Sequence, residues 1–397
     1  MRWILFQSRP AERFSVGWNG TDPLSSGDNV GCPQRLILLL ERGSAKQRWY
    51  RVLTPSCIPV WGMQEGVYVN TVQASPSTNR EENTLTSFLN ALPGAVSQGM
   101  IWGIMAIGLY ITYRLLSISD LTVDGSFCTG GAIGVIMIIN GYSIWFSLLI
   151  ALAVGMLTGM ATGLLHTVCG IPAILSGILT QLGLWSINLA IMGMKANQSL
   201  NVNKYQLLVS LRYLQDYNKG VRPFTQHPIF VVGVLTLLLI ALLYWFFGTE
   251  LGSSLRATGS NPCMARAQGI NTNRCIVLGL MLANGLVALS GALMAQYQSF
   301  ADINMGRGAI VIGLAAVIIG EVVFGRLFRN FALKLLSVSL GAIIYYVVIQ
   351  AVVSLSGINS NYLKLLSAII VGIFLAVPYW KGKYFAKPVR KGVTTHA

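Results

Sequence analysis

The chain has 397 residues, of which 54% are hydrophobic and only 10% charged, with a mean hydropathy of +0.61. Soluble domains carry about 25% charged residues, so an ordinary soluble domain is excluded and most of the chain faces lipid or other apolar helices. The net charge of +15 does not indicate nucleic acid: many Lys and Arg residues stand in short loops between apolar runs and in the tail Lys381, Lys383, Lys387, Arg390 and Lys391, where they orient spans in a membrane.

Residues 1–84 are polar, carry both charge signs, and are interrupted by Pro10, Pro23, Pro33, Pro55, Pro59 and Pro76. They hold no apolar run long enough to span and no basic-then-apolar leader. They are expected to be a disordered N-terminal extension, or an upstream stretch joined by a misplaced start with Met63 or Met100 as later starts, because they can bury little apolar surface. From 85 to 380 the chain is nearly continuous membrane domain. A span needs roughly 20 apolar residues, which places spans at about 95–116, 128–142, 143–168, 173–194, 228–248, 275–298, 308–324, 334–355 and 361–380. The second and seventh are short and read as half-helices. The fold class is therefore an all-α polytopic membrane protein of about eight transmembrane helices, with one or two discontinuous or re-entrant half-helices. Residues 381–397 form a basic tail.

Charge sets the orientation. The segment 249–274, with Arg256, Arg266 and Arg274, the segment 325–334, with Arg326, Arg329 and Lys334, and the tail are expected in the cytoplasm. The loops 299–307 and 356–360 are then outside. So is 195–227, although it carries Lys195, Lys204, Arg212, Lys219 and Arg222; the alternation of spans forces that placement. The side of the N-terminus depends on whether 128–142 crosses.

Two places put acid and glycine ahead of a short apolar run: Asp120 and Asp124 before Gly125, Gly130 and Gly131, and Asp302 before Gly306 and Gly308. This suggests a weak two-repeat organisation, each repeat with a broken helix whose unpaired backbone groups can line a pathway. Asp124, Ser126 and Asp302 are candidate pathway residues; the competing role for the acids is to cap the following helix. Among the uncharged polar residues in spans, Gln181, Asn188, Asn284 and Gln350, the pathway candidates are Gln181 and Asn284. Glu321 is expected to pair with a neighbouring Arg, 326 or 329. Gly155, Gly159 and Gly163, every fourth residue on one face, indicate close helix packing. The six cysteines form no CxxC pair and there are only three histidines, so no metal site is expected. A phosphate loop G-x-x-x-x-G-K-[ST] is absent, so the chain carries no nucleotide site and no cofactor.

The loop from Thr249 to Asn271 is the most informative stretch. Its polar and small residues should form one or two short helices broken near Gly259 and Pro262, with Asn261 as the cap of the second. Ala265, Ala267 and Gly269 keep that helix slim enough for a partner's groove, and Arg256 and Arg266 suit an acidic rim. The loop resembles the coupling loop of ABC importer permeases of the branched-chain amino acid and ribose-type class, through Gly252, Arg256, Ala257, Gly259, Asn261, Ala265, Gly269 and Ile270. The resemblance covers 85–380 and includes Leu121-Thr-Val-Asp124-Gly-Ser-Phe127, similar to a subgroup associated with aromatic amino acid uptake. Residues 1–84 have no counterpart in it.

That resemblance implies a bacterial inner-membrane permease subunit with no enzymatic activity of its own, working as a homodimer or with a paralogue. Its partners would be separate ATPase subunits at the 249–271 loop and an extracytoplasmic substrate-binding protein, with an amino acid or similar small polar solute as cargo. An ion-coupled transporter using Asp124, Asp302 or Glu321 is the rival. An intramembrane aspartyl protease, with Asp124 facing Asp302, is a more distant one.

Overall fold

In the computed structural model the described residues are 80–218 and 227–356, apart from 326 and 329, with a few positions between 365 and 376; of 80–87 only the backbone is described. Most of the expected N-terminal extension, the basic tail and most of the expected span 361–380 lie outside them.

The helices in chain order are α1 (Arg80–Tyr110), α2 (Val123–Ile139), α3 (Ile144–Thr167), α4 (Ala173–Ile191), α5 (Leu211–Asn218), α6 (Pro228–Gly248), α7 (Glu250–Ser260), α8 (Pro262–Ala267), α9 (Thr272–Gln298), α10 (Ala309–Phe324) and α11 (Phe331–Ser356). A π-helical turn, Ile111–Leu115, continues α1. Among the described residues six helices are long and apolar enough to cross a membrane: α1 from Phe88 through that turn, α3, α4, α6, α9 and α11. With 17 and 16 residues, α2 and α10 reach only about 25 Å, short of the roughly 30 Å hydrocarbon core. The chain is thus an all-α polytopic membrane protein with two half-helices. The second helix starts at Val123, five residues before the expected 128. Asp124, Gly125 and Ser126 read as a polar break, yet they continue the helix because their polar groups find partners within the bundle.

Helices α1 and α9 form the centre: 78% and 72% of their spanning windows are buried, against 22–39% for the other four. They run antiparallel, since Tyr297 Oη donates to the Gly94 carbonyl (3.1 Å) and Ser290 Oγ to that of Ile101 (2.7 Å). Helix α2 lies parallel to α9, pairing Ser126 with Asn284, Gly130 with Ala288 and Gly134 with Ala292. Helix α10 lies parallel to α1, with Gly313 against Met105 and Leu109 and Glu321 beside Arg114. Helix α3 runs antiparallel along α9 through Gly155, Gly159 and Gly163, as their spacing suggests, and α11 runs antiparallel along α1. The series α1–α2–α3 and α9–α10–α11 therefore share one plan, long, half, long, built in opposite directions. Each central helix holds the other series' half-helix and its successor. This is the inverted-repeat arrangement in which broken helices meet near mid-membrane.

The Gly94–Tyr297 contact places the start of α1 at the end of the bundle where α9 finishes. At that end a small clip joins β1 (Asn197–Ser199) to β2 (Phe300–Asp302), antiparallel, with Asn197 opposite Asp302. The described part of the basic loop, 195–218, and the loop 299–307 are thus on one side, as the alternation of spans requires, and α7 and α8 are on the other; Lys219 and Arg222 lie outside the described residues.

Candidate functional site

Two places bring the singled-out residues together. The first is the junction of the half-helices. Gly308, the N-cap of α10, has φ +83° and supplies no side-chain cap; Ala309 N and Val311 N bond the nearby carbonyls of Gly306 and Gly308, which leaves Gly308 N and Ile310 N to an acceptor from elsewhere. Asp124 fills this role from the other repeat: its Oδ2 accepts from Gly308 N and its Oδ1 from Ile310 N, both at 3.0 Å. Asp124 caps the partner half-helix, where the sequence suggested a cap on its own. Asp120 serves α2 instead: it is buried (1% exposed) and its Oδ1 accepts from Thr122 N at 2.8 Å. Two helix N-termini thus meet, each a region of positive potential, with one carboxylate assigned to each.

Behind them runs a buried polar chain. Asn284 Nδ2 donates to Asp120 Oδ2 (2.7 Å), Ser126 Oγ donates to Asn284 Oδ1 (2.7 Å), and Ser126 is 2.8 Å from Thr158 Oγ1. A second hydroxyl series links Thr122, Thr162 and Thr180. Ser126 and Asn284 are both wholly buried, and their visible work is to lock α2, α3 and α9 around Asp120. Helix α4 brings Gln181, half-buried, against Gly125. Asp302 is not at the junction: it lies in β2, where its Oδ1 accepts from Asn304 N at 2.7 Å. With Asp124 engaged by α10 and Asp302 by its own loop, the facing pair that an aspartyl protease needs has no support in these contacts.

The second place is the 249–271 loop. It folds as two short helices broken at Asn261–Pro262, and Asn261 Oδ1 accepts from Met264 N at 3.1 Å as the cap of α8. Thr249 caps α7, and Gly269, at φ +79°, ends the turn after α8. The burial pattern departs from the expectation. Ala265 is buried (3%) within this chain, as are Gly252 and Leu255, so these three residues seat the loop on its own bundle, while Ala267 and Gly269 stay exposed. The two arginines have inward-leaning contacts as well: Arg256 lies 5.9 Å from the centre of the Phe331 ring, and Arg266 Nε donates to Thr272 Oγ1 at 2.8 Å. What α8 presents outward is Cys263, Met264, Arg266, Ala267 and Gln268.

Gly259 is where the loop meets the core. A Cβ there would overlap the carbonyl oxygen of Leu115, at the end of the π-helical turn, and Ser117 Oγ reaches the Gly259 carbonyl at 3.5 Å. The same turn carries Arg114, whose Nε is 3.0 Å from Glu321 Oε1. The partner of Glu321 is thus on α1, not one of the nearby arginines; Arg326 and Arg329 lie outside the described residues. The pair is well exposed and is worth at most about 1 kcal/mol, so its interest is positional. A cavity of about 370 Å³ opens beside it, lined by Tyr110, Lys334 and Ser337 among others. A π-turn is a local irregularity common at functional sites; here one turn touches α7 on one side and the end of α10 on the other. The sequence reading missed this turn and Arg114. Its signal was a charge at each end of two apolar runs, Arg114 and Glu321, which need each other in that setting.

The family described as the permease component of branched-chain amino acid transport systems matches residues 92–377. A tyrosine transport system permease protein of Clostridioides difficile is 38% identical over 288 residues, which is 72% of this chain and 91% of that protein. An uncharacterized protein of Rickettsia prowazekii is 32% identical over 289 residues, 72% of this chain and 98% of that one. An autoinducer 2 import system permease protein of Yersinia pestis is 30% identical over 229 residues, 57% and 60% of the two chains. No solved structure matches.

Proposed function

The chain belongs to the family of ABC-type branched-chain amino acid permeases, and on that premise we propose that it imports an amino acid, an aromatic one by its similarity to the tyrosine permease, driven by a separate ATPase. As a member of that family it is a transport permease and not an enzyme.

In this reading two such subunits, like or paralogous, enclose a pathway in a bacterial inner membrane. A binding protein delivers the solute at the end where β1 and β2 meet. ATPase subunits dock on α7 and α8 in the cytoplasm. Closure of the ATPases on ATP moves α7, and through Gly259 the π-turn of α1. The half-helices α2 and α10 move with their flanking long helices, and the pathway changes the side it faces. Asp124 lies on or beside that pathway, and this subunit does no covalent chemistry.

The observation that carries the reading is the construction of the loop. Gly252, Gly259, Ala265 and the two arginines fasten it to its own bundle, and the side chains of Cys263 and Met264 are left outward with no contact of note among the described residues. Met264 is 64% exposed, and an exposed Met on a short helix suits insertion into an apolar groove. The chain purified in mild detergent is expected to bring an ATPase with it, and Met264→Asp to reduce the amount bound by about tenfold or more, the effect of losing one anchor at the centre of an interface. A monodisperse, folded chain that brings no ATPase would overturn the docking role.

A further inference from the structure

Arg307 has no part in the reading so far, and its setting is unusual. It occupies the last turn before α10, where its backbone N donates to the Asn304 carbonyl, and its exposed side chain makes no hydrogen bond or ion pair with any described residue. Its depth can be read from its neighbours. Gly306 lies against the Asp124 backbone, and Gly308 N donates to the Asp124 carboxylate. Asp124 is two residues before Ser126, which is level with Asn284, so this point is level with residue 282 of α9. At 1.5 Å per residue it is roughly 15 Å from the Thr272 end and roughly 24 Å from the Gln298 end. The chain from Ser299 to Gly308 therefore descends to the middle of the bundle with only three residues of strand and no helix. Its course is fixed by Cys128 Sγ donating to the Ile303 carbonyl at 3.3 Å and accepting from Gly306 N at 3.1 Å.

Irregular backbone at that depth persists only where protein or water covers it. A guanidinium there, facing lipid, costs about 2.5–3.5 kcal/mol on the scales that penalise it least. The face made by Asp124, Arg307, Gly308 and Val311, the last 46% exposed, is therefore covered by water or by a second subunit, not by lipid. Its field is set by two converging helix N-termini and one arginine against the carboxylate of Asp124. Each oxygen of that carboxylate already takes one backbone amide and keeps a further lone pair. One helical turn along α2, Phe127 is stacked on Trp102 with ring centres 4.9 Å apart. The indole N–H of Trp102, 6% exposed, has no partner among the described residues.

We infer that Arg307 is the contact for the carboxylate of the transported solute, with the free lone pairs of Asp124 facing its ammonium group. The substrate class is thus an α-amino acid zwitterion. Guanidinium and carboxylate match in a fork geometry that also fixes orientation, and two opposite charges carried on one face, at Arg307 and Asp124, select a zwitterion over a sugar or a simple cation. The inference rests on the proposed pathway passing this face, and the test separates the two.

The whole transporter is placed in membrane vesicles of both orientations, with Cys32, Cys57, Cys169 and Cys263 replaced and Val311→Cys introduced. Reaction of that thiol with the anionic, membrane-impermeant reagent MTSES is followed with and without L-tyrosine, L-phenylalanine, L-leucine and tyramine. The expected result is reaction from the aqueous phase and protection by at least one of the amino acids, but not by tyramine, which lacks the carboxylate. The concentration that protects should rise about tenfold or more in Arg307→Gln, as loss of a charge-assisted pair demands, and recover in part in Arg307→Lys. A thiol that never reacts would overturn both the inference and the passage of the pathway by this face. A reactive thiol that no amino acid protects, or whose protection is equal in Arg307→Gln, would overturn the carboxylate contact and leave the pathway standing.

Discussion

Gly259→Ala is expected to lower uptake by about tenfold or more while the protein stays inserted at its normal level. The added Cβ falls on the Leu115 carbonyl oxygen, which is backbone and cannot rotate away, so α7 must shift or tilt off the π-turn. Forced displacements of this kind cost about 1–3 kcal/mol. The cost falls at an end of the bundle that the central packing of α1 against α9 does not need. ATP hydrolysis should continue and become poorly linked to uptake. Ser260→Ala, one residue on and exposed, is the control and should transport normally. Unchanged uptake in Gly259→Ala, measured with labelled substrate in cells, would show that the contact between α7 and Leu115 transmits nothing.

Asp124→Ala should have the larger effect on the folded state. It removes both acceptors from the start of α10 and leaves Gly308 N and Ile310 N without that charged partner, close to the N-terminus of α2. Hydrogen bonds to a charged acceptor are worth about 1.5–3 kcal/mol each, so the variant should melt several degrees lower in detergent and lose most of its uptake. Asp124→Asn keeps one side-chain carbonyl and the shape. It should recover much of the melting temperature and still transport with altered kinetics, because the charge is gone. A melting temperature in Asp124→Ala equal to that of the parent would mean that α10 holds its place without this cap. Normal kinetics in Asp124→Asn would limit Asp124 to capping.

Much of this architecture is legible in the sequence, for physical reasons that differ from element to element. Long apolar runs mark α3, α4, α6 and α9 to within a few residues because a span must exclude unpaired charge. The shortness of α2 and α10 is visible for the same reason. The break at Asn261–Pro262 is visible because a cap residue followed by proline is a local signal that needs no tertiary context. The start of α2 is misplaced because its polar residues are satisfied from afar: Asp120 by Asn284, 164 positions away, and Asp124 by Gly308 and Ile310, 184 and 186 positions away. No periodicity within the segment can show that. In the loop, Ala265, Ala267 and Gly269 are read as the slim face for a partner, and of these Ala265 packs inward while Ala267 and Gly269 are exposed. A small residue fits a close approach on either side, and only the packing says which. Arg307 escapes for a simpler reason. In the sequence it is one cation in a short polar loop, and only the descent of that loop to the level of Asn284 gives its charge a meaning.

The carboxylates of Glu321 and Asp124 also bear on how transport is powered. An ion-coupled carrier needs a carboxylate that gains and loses its partner through the cycle. Glu321 is paired with Arg114 and Asp124 with the α10 amides, so each has a structural task that protonation would undo. The most direct measurement is uptake of labelled L-tyrosine into proteoliposomes holding this chain, its co-purified ATPase and the external binding protein, with ATP enclosed on the cytoplasmic side. Uptake that requires ATP and persists when ion gradients are collapsed is the predicted result. Uptake that runs on a proton or sodium gradient with no ATP present would contradict the account.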